Sequence, residues 1–359
     1  MQQQQENDPH SFRLLGHTSL DSTERITEPK SATLIEALER EEIIAEAFAR
    51  DGFFVLRQCF DINVLLPFCE FGNVYFDQCF RDLCDHGHVE VPSYRSRDVK
   101  TLDNAEDDAD VNHQRYTYTL QQGIKHGFRE IVMRSPGRYE LSLLHFDRKH
   151  NNADQKNNNE TLFHAYRLDE NVPHLVEPLT SLLPRLVGPD YTAYEQLKLC
   201  HLSLLIATPG SSDQSWHADG GHMSVSKHLP CYCFNVFFPL QDTPKVLGPT
   251  ELRPASQFLT RNLGPMMLAA KCRKTLRPPV WPELAFGDAI VLDYRVLHRG
   301  RANLSDDSTN TVNGDAGIEN DNDNKKLLPM NRNYLVLSYS EPWFEDVLNF
   351  PKRSMYDPK

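Results

Sequence analysis

From about Gln196 the chain consists of short apolar runs rich in Val, Leu, Ile, Phe and Tyr, separated by Gly, Pro, Asp and Asn. LKLCHLSLLIATPG (197–210), CYCFNVFFPL (231–240), DAIVLDYRVLH (288–298) and NYLVLSYS (333–340) all read as strands. Several such strands joined by turns predict an antiparallel barrel or jelly roll. A polar insert, residues 306–330, splits this region and is expected to be a flexible surface loop, because it offers almost no apolar side chains until its end.

The remainder is less regular. Residues 1–30 are polar, Gln-rich at the start and without period, and are expected to be disordered or loosely attached. SATLIEALEREEIIAEAFAR (31–50) has Leu34, Ile35, Leu38, Ala45 and Phe48 near one helical face, with Ser31 as a cap and Gly52 as a stop. FFVLRQCF (53–60) follows as a strand. Residues 61–195 are mixed: 64–80 reads as a helix, and 172–186 as a helix broken by prolines. The expected organisation is a helical and mixed segment (31–195) packing on a β core (196–345), then a tail (346–359).

Charge and leader signals narrow the function. A net charge of −12 argues against gripping phosphate backbones, so no nucleic-acid partner is expected. No apolar run is long enough to span a bilayer, the N-terminus lacks the pattern of a secretory signal, and the C-terminus is not a peroxisomal address. These readings favour a cytoplasmic protein with no membrane association and no evident obligate protein partner. Eight thinly spread cysteines point to a reducing compartment and free thiols. The Cys231–Cys233 pair would suit a metal if extended, but two small apolar residues packed in a sheet are the commoner case.

The string SWHADGGH (215–222) carries the chemistry. His217 and Asp219 are two apart, so in an extended segment imidazole and carboxylate leave one face and can meet one metal. The spacing alone is weak: with 15 histidines and 28 aspartates, about one such pair arises by composition. His145–Asp147 is a second one, and it leads into a polar stretch with no strand after it. His217–Asp219 lies between apolar strands, and Gly220 and Gly221 allow a tight turn. His298, about 80 residues later at the end of a strand-like run, is the candidate third ligand. Taken singly, such a histidine is more often a hydrogen-bonded structural residue. Two histidines and a carboxylate form a facial set that leaves positions open, as non-haem iron(II) requires.

Four strings in order, WHADGGH, FFPLQDTPKVLGPTELRPASQ, FGDAIVLDYRVLHRGRANLS and RNYLVLSYSEPWF, resemble the phytanoyl-CoA dioxygenase family of iron/2-oxoglutarate oxygenases. ALEREEIIAEAFARDGFFVLR is similar to that family's start. The resemblance implies a mainly β protein with flanking helices, built on a double-stranded β-helix (jelly-roll, cupin-like) core. It implies Fe(II), 2-oxoglutarate and O2, with ascorbate as support, and oxidation of a small organic molecule with release of succinate and CO2. Hydroxylation, desaturation and oxidative cyclisation all remain open. His217, Asp219 and His298 match the family's metal ligands, Arg332 its anchor for the far carboxylate of 2-oxoglutarate, and Asn235 a further co-substrate contact. Strand alternation turns Arg295 and Arg299 away from the ligand face, and Arg301 faces solvent or substrate. Trp216 and His222 are further substrate-side candidates, each weighed against plain packing or a loop hydrogen bond. The family's usual Gly-Ser-His ending is ELRPASQ here, and the stretch between His298 and Arg332 is longer than its pattern. The rival readings are a metal-binding jelly roll without oxygenase activity, such as a cupin-like isomerase or a ligand-binding pseudoenzyme, and a protein hydroxylase on the same core.

Overall fold

The computed structural model describes residues 34–57, 60–88, 127–143, 166–260, 276–305, 318–321, 324–327, 330–346, 349 and 351–357, with a few single positions excepted. Residues 1–30 and the pair His145–Asp147 lie outside them. Helix α1 (Leu34–Asp51) leads into β1 (Phe53–Leu56), and α2 spans Ile62–Asp85. The side chain of Asp61 accepts from the backbone of Asn63 at 2.9 Å, which satisfies one free amide of the first turn of α2. Two short helices, α3 (Leu168–Val176) and α4 (Leu183–Val187), replace the single proline-broken helix expected over 172–186. Among the described residues no helix is long and apolar enough to cross a membrane.

The core is an antiparallel sheet of seven strands in the order β1-β7-β5-β11-β4-β3-β2. Its other members are β2 (Ile131–Ser135), β3 (Arg138–Ser142), β4 (Lys198–Ala207), β5 (Cys233–Pro239), β7 (Ala289–Asp293) and β11 (Arg332–Ser340). A small second sheet faces it, made of β6 (Thr250–Leu252) and β8 (His298–Gly300). Single bridges extend that sheet, His217 to His298 on one side and Leu252 to Val280 on the other. The result is a double-stranded β-helix with helices on the outer face of the large sheet.

Alternation along the strands divides the core in two. Outward-facing Phe54, Leu204, Phe234, Val291, Leu335 and Leu337 pack against the helices, where α2 buries Phe68, Phe71, Tyr75 and Phe80. Each of these aromatic side chains contributes roughly 1.5–3 kcal/mol of burial free energy. Inward-facing Phe53, Ile290, Leu292, Val336 and Phe237 close one half of the space between the sheets. The other half, under β3, β4 and β11, is walled by Arg138, Glu140, His201, Ser203 and Arg332.

Three segments differ from the sequence reading. The strand expected over 53–60 ends at Leu56. DAIVLDYRVLH is two strands rather than one, because Tyr294 to Leu297 turn the chain from β7 in the large sheet to β8 in the small one. His298 therefore opens a strand instead of ending one, and Arg295 lies in the turn, where strand alternation does not apply. The insert 306–330 contains an antiparallel hairpin, β9 (Ile318–Asp321) with β10 (Asn324–Leu327), instead of only loop. Its polar composition hid a pairing that the backbone alone can make. The described cysteines are free thiols, and Cys231 and Cys233 are buried. The thiol of Cys231 donates to the carbonyl of Cys233 at 3.1 Å.

Candidate active site

The bridge between His217 and His298 ties the 215–217 segment to β8, each backbone N–H donating to the other's carbonyl at 3.1 and 2.9 Å. That pairing sets the two imidazole rings 4.5 Å apart, centroid to centroid. Asp219 sits at a bend just beyond the bridge rather than inside a strand. Its oxygens lie 3.8 Å from Nε2 of His217 and 3.6 Å from Nε2 of His298. Ligand atoms of all three residues fall within 4.8 Å of one another, the one such cluster among the described residues. The tight turn depends on Gly220, where a Cβ would lie 2.2 Å from the ring of Tyr294. Gly221 has open space around it and imposes no such limit.

The hydrogen bonds fix the chemistry of this cluster. Nδ1 of His217 donates to the carbonyl of Ser215 at 2.8 Å, and Nδ1 of His298 to that of Val296 at 3.1 Å. A carbonyl only accepts, so both rings carry a proton on Nδ1 and turn Nε2 toward Asp219. Burial, reinforced by the neighbouring His298, lowers the pKa of His217 and favours the neutral form a metal needs. Asn235, on the inner face of β5, donates to Oδ2 of Asp219 at 2.7 Å and accepts from the hydroxyl of Ser338. Both ends of its amide are thus engaged within the protein, which makes Asn235 an orienting partner of Asp219. Two imidazoles with Nε2 turned to one point, and a hydrogen-bonded carboxylate beside them, suit a non-haem iron(II) with open positions.

A cavity of about 450 Å³ opens in front of the cluster. Arg332, Thr250, Gly300, Arg134, Glu140, His201, Tyr294 and Asn349 are among the residues that line it. Arg332 is wholly buried, its Nη1 donates to the carbonyl of Gly248, and its Nε and Nη2 have no partner. Burial lowers its pKa, as expected of a cation without a counter-ion. Behind this lining Asp346 accepts from His201 at 2.9 Å and also from Tyr294 and Asn349. Arg134 pairs with Glu140 at 2.6 Å, and Glu140 also accepts from Ser203. None of these wall residues was singled out from the sequence. In the sequence they are lone polar positions far from the His-x-Asp string, and only the register of β3 and β4 and the return of the C-terminal segment bring them to the site.

The remaining sequence candidates lie off the cavity. The ring of Trp216 is held between the guanidinium groups of Arg253 and Arg299, at 4.5 and 4.9 Å. His222 bonds to the hydroxyl of Thr260 at 2.8 Å. Arg301 pairs with Asp213 and Glu251, both at 3.2 Å, and stacks on Trp281. Arg295 forms a two-pronged pair with Asp293, and Arg299 pairs with Glu251 at 2.6 Å.

The family model for phytanoyl-CoA dioxygenase (PhyH) matches residues 122–310, more than half of the chain. Similar solved structures include AviO1 from Streptomyces viridochromogenes Tue57, at 17% identity over 85% of this chain and 97% of that one, with a TM-score of 0.44. EctD from S. alaskensis with bound Fe is 15% identical over 87% of both chains, TM-score 0.45. The non-heme alpha ketoglutarate dependent epimerase SnoN from nogalamycin biosynthesis is 13% identical over 85% and 84%, TM-score 0.44.

Proposed function

Because this chain belongs to the phytanoyl-CoA dioxygenase family and is a non-haem iron(II)- and 2-oxoglutarate-dependent oxygenase, we propose that it oxidises a small, polar organic substrate in the cavity before His217, Asp219 and His298. The observation that carries this reading is the pairing of two features across one cavity. The convergent Nε2, Nε2 and carboxylate atoms lie on one side, and a buried arginine with unpaired N–H groups on another.

His217, Asp219 and His298 would hold the iron, and Arg332 would receive the far carboxylate of 2-oxoglutarate through its free fork. Bound iron supplies O2 activation coupled to decarboxylation of 2-oxoglutarate to succinate and CO2. The chain's own part is positioning. Ser215 and Val296 fix the imidazole tautomers, Asn235 fixes the carboxylate, and Phe237, Leu205 and Val336 give the cavity an apolar side. A metal-binding jelly roll without oxygenase activity has no use for Arg332.

The polar part of the lining speaks to the substrate. Glu140, Arg134, His201, Tyr294 and Asn349 offer charged and hydrogen-bonding groups, which favour a compound bearing several polar groups over a bare hydrocarbon tail. The oxidation is a hydroxylation, desaturation or ring closure at a C–H bond of such a compound. The test is succinate release from 2-oxoglutarate with iron(II), ascorbate and O2, run against a panel of small polar metabolites. Turnover should depend on iron, vanish on chelation and return when iron(II) is added back. Absence of succinate from iron-loaded protein with every member of the panel would overturn the proposal.

A further inference from the structure

A row of aromatic side chains runs from the metal cluster to the surface. It starts at Tyr294, which lines the cavity together with His217, Asp219 and His298. The backbone N–H of Gly220, next to Asp219, donates to the carbonyl of Tyr294 at 3.0 Å. A Cβ at Gly220 would lie 2.2 Å from the ring of Tyr294 and 2.8 Å from the hydroxyl of Tyr232, so both side chains crowd the residue that follows Asp219. Tyr294 meets Phe344 edge to face at 6.0 Å between centroids. Tyr232 meets Phe344 at 5.0 Å and Trp343 at 5.7 Å. Trp343 ends the row, 56% exposed.

Both ends of the row have an acceptor on their acidic hydrogen. The hydroxyl of Tyr294 donates to the largely buried carboxylate of Asp346, and the indole N–H of Trp343 to Glu341. A phenol or an indole loses an electron readily only when its proton has somewhere to go, because the radical cation left otherwise is a very strong acid. Tyr334, whose ring lies under the guanidinium of Arg332, has no partner for its hydroxyl. The faces of Trp216, beside His217, are taken by the guanidinium groups of Arg253 and Arg299, which oppose the positive charge of an oxidised indole. Tyr232 meets one guanidinium, that of Arg295, and Asp293 pairs with it.

We propose that Tyr294 and Trp343 are the two ends of an electron path that carries oxidising equivalents away from the iron when no substrate is bound. This rests on the reading of His217, Asp219 and His298 as the iron ligands. Conversion of 2-oxoglutarate and O2 to succinate and CO2 leaves two oxidising equivalents at the iron, which a bound substrate consumes. Without substrate, Tyr294 gives up one electron and its phenolic proton passes to Asp346. Trp343 refills Tyr294 across Tyr232 and Phe344, with the indole proton moving to Glu341 and the phenolic proton returning from Asp346. Ascorbate in the solvent reduces Trp343 at its exposed face, and a second electron by the same route restores iron(II). One ascorbate becomes dehydroascorbate for each succinate. The remaining oxygen atom of O2 leaves as water with the two protons of ascorbate.

The test mixes iron(II)- and 2-oxoglutarate-loaded protein, without substrate, with O2 and freezes it at intervals for electron paramagnetic resonance. Succinate is measured in the same samples, for wild type, Tyr294→Phe and Trp343→Phe. Wild type should show an organic radical that appears with succinate, and Tyr294→Phe should lose it. In Trp343→Phe the radical should stay on tyrosine, narrow when the tyrosines are ring-deuterated, and resist the ascorbate that erases the wild-type signal. That variant, changed at an exposed position, carries the test if Tyr294→Phe does not fold. Succinate without a radical in wild type, or an equal signal in Tyr294→Phe, overturns this inference and leaves the reading of the iron ligands standing. A signal that ascorbate erases equally fast in Trp343→Phe and wild type overturns it too. Absence of succinate from all three proteins overturns the reading of the iron site as well.

Discussion

The amide nitrogen of Asn235 lies 2.7 Å from Oδ2 of Asp219, and the amide oxygen accepts from Ser338 on the neighbouring strand. Asn235 and Ser338 are in direct register between β5 and β11, so the large sheet itself fixes the carboxylate on the bend that follows the His217 bridge. Replacing Asn235 by Ala removes this restraint without touching a ligand atom. Iron affinity should fall by roughly 10- to 100-fold, as is typical for loss of a group that orients a metal ligand. Titration of iron(II) into the variant measures this, and an affinity equal to wild type would show that Asp219 needs no orienting partner.

Arginine replacements should separate the co-substrate anchor from its neighbours. Arg332→Lys replaces a planar fork by a point charge and should raise the 2-oxoglutarate requirement by about an order of magnitude, while iron binding survives. Arg301 is already paired with Asp213 and Glu251, so Arg301→Lys should leave that requirement within about twofold. Steady-state KM values for 2-oxoglutarate in the two variants decide the matter, and the reverse order would refute the assignment.

The segment 306–330 should be removable. The hydroxyl of Ser305 and the backbone N–H of Met330 lie 3.2 Å apart, and Asn303 donates to the carbonyl of Met330 at 2.9 Å. The two ends of the insert are thus already held together by the core. Replacing residues 307–328 with a short Gly-Ser linker should preserve folding and iron-dependent decarboxylation of 2-oxoglutarate. Insoluble or unfolded protein would mean that the hairpin of β9 and β10 is an integral part of the core.

The pair His201–Asp346 should leave a signature in the pH dependence of stability. Burial opposes the charge on Asp346, but hydrogen bonds from His201, Tyr294 and Asn349 outweigh it and hold its carboxyl well below the usual range. Its contribution is therefore present above the ordinary carboxyl value of 3.8 and is lost as the pH falls toward the folded value. Burial likewise opposes protonation of His201, but Asp346 raises its pKa. That contribution is full below the ordinary imidazole value of 6.5 and is lost as the pH rises through the raised one. The stability difference between wild type and Asp346→Asn should be about 3 kcal/mol at most, because one partner of a buried pair is left alone. Urea unfolding across this range should find the difference greatest between the two ordinary values. A flat difference would show that the pair does not titrate with folding.

The sequence by itself determined the strand content of residues 196–345 and the place of the His-x-Asp string among those strands. It also marked His298 and Arg332 on later strands. These are local properties, since side-chain alternation, turn residues and short motifs are written in consecutive positions. Residues 31–80 were legible as helix, strand and helix for the same reason. Tertiary structure alone decided that His217 and His298 pair backbone to backbone, that Tyr294 to Leu297 switch sheets, and that Asn235 serves Asp219. It also decided that His201 meets Asp346 and that Arg138 stands beside Arg332 across β4. Apart from the turn at Tyr294 to Leu297, these are contacts between residues well separated in the chain, which no local pattern can announce. An arginine in RYELS looks in sequence like the polar face of a half-exposed strand. Only the opposing sheet, closing over it with Gly300 against its guanidinium, buries it completely.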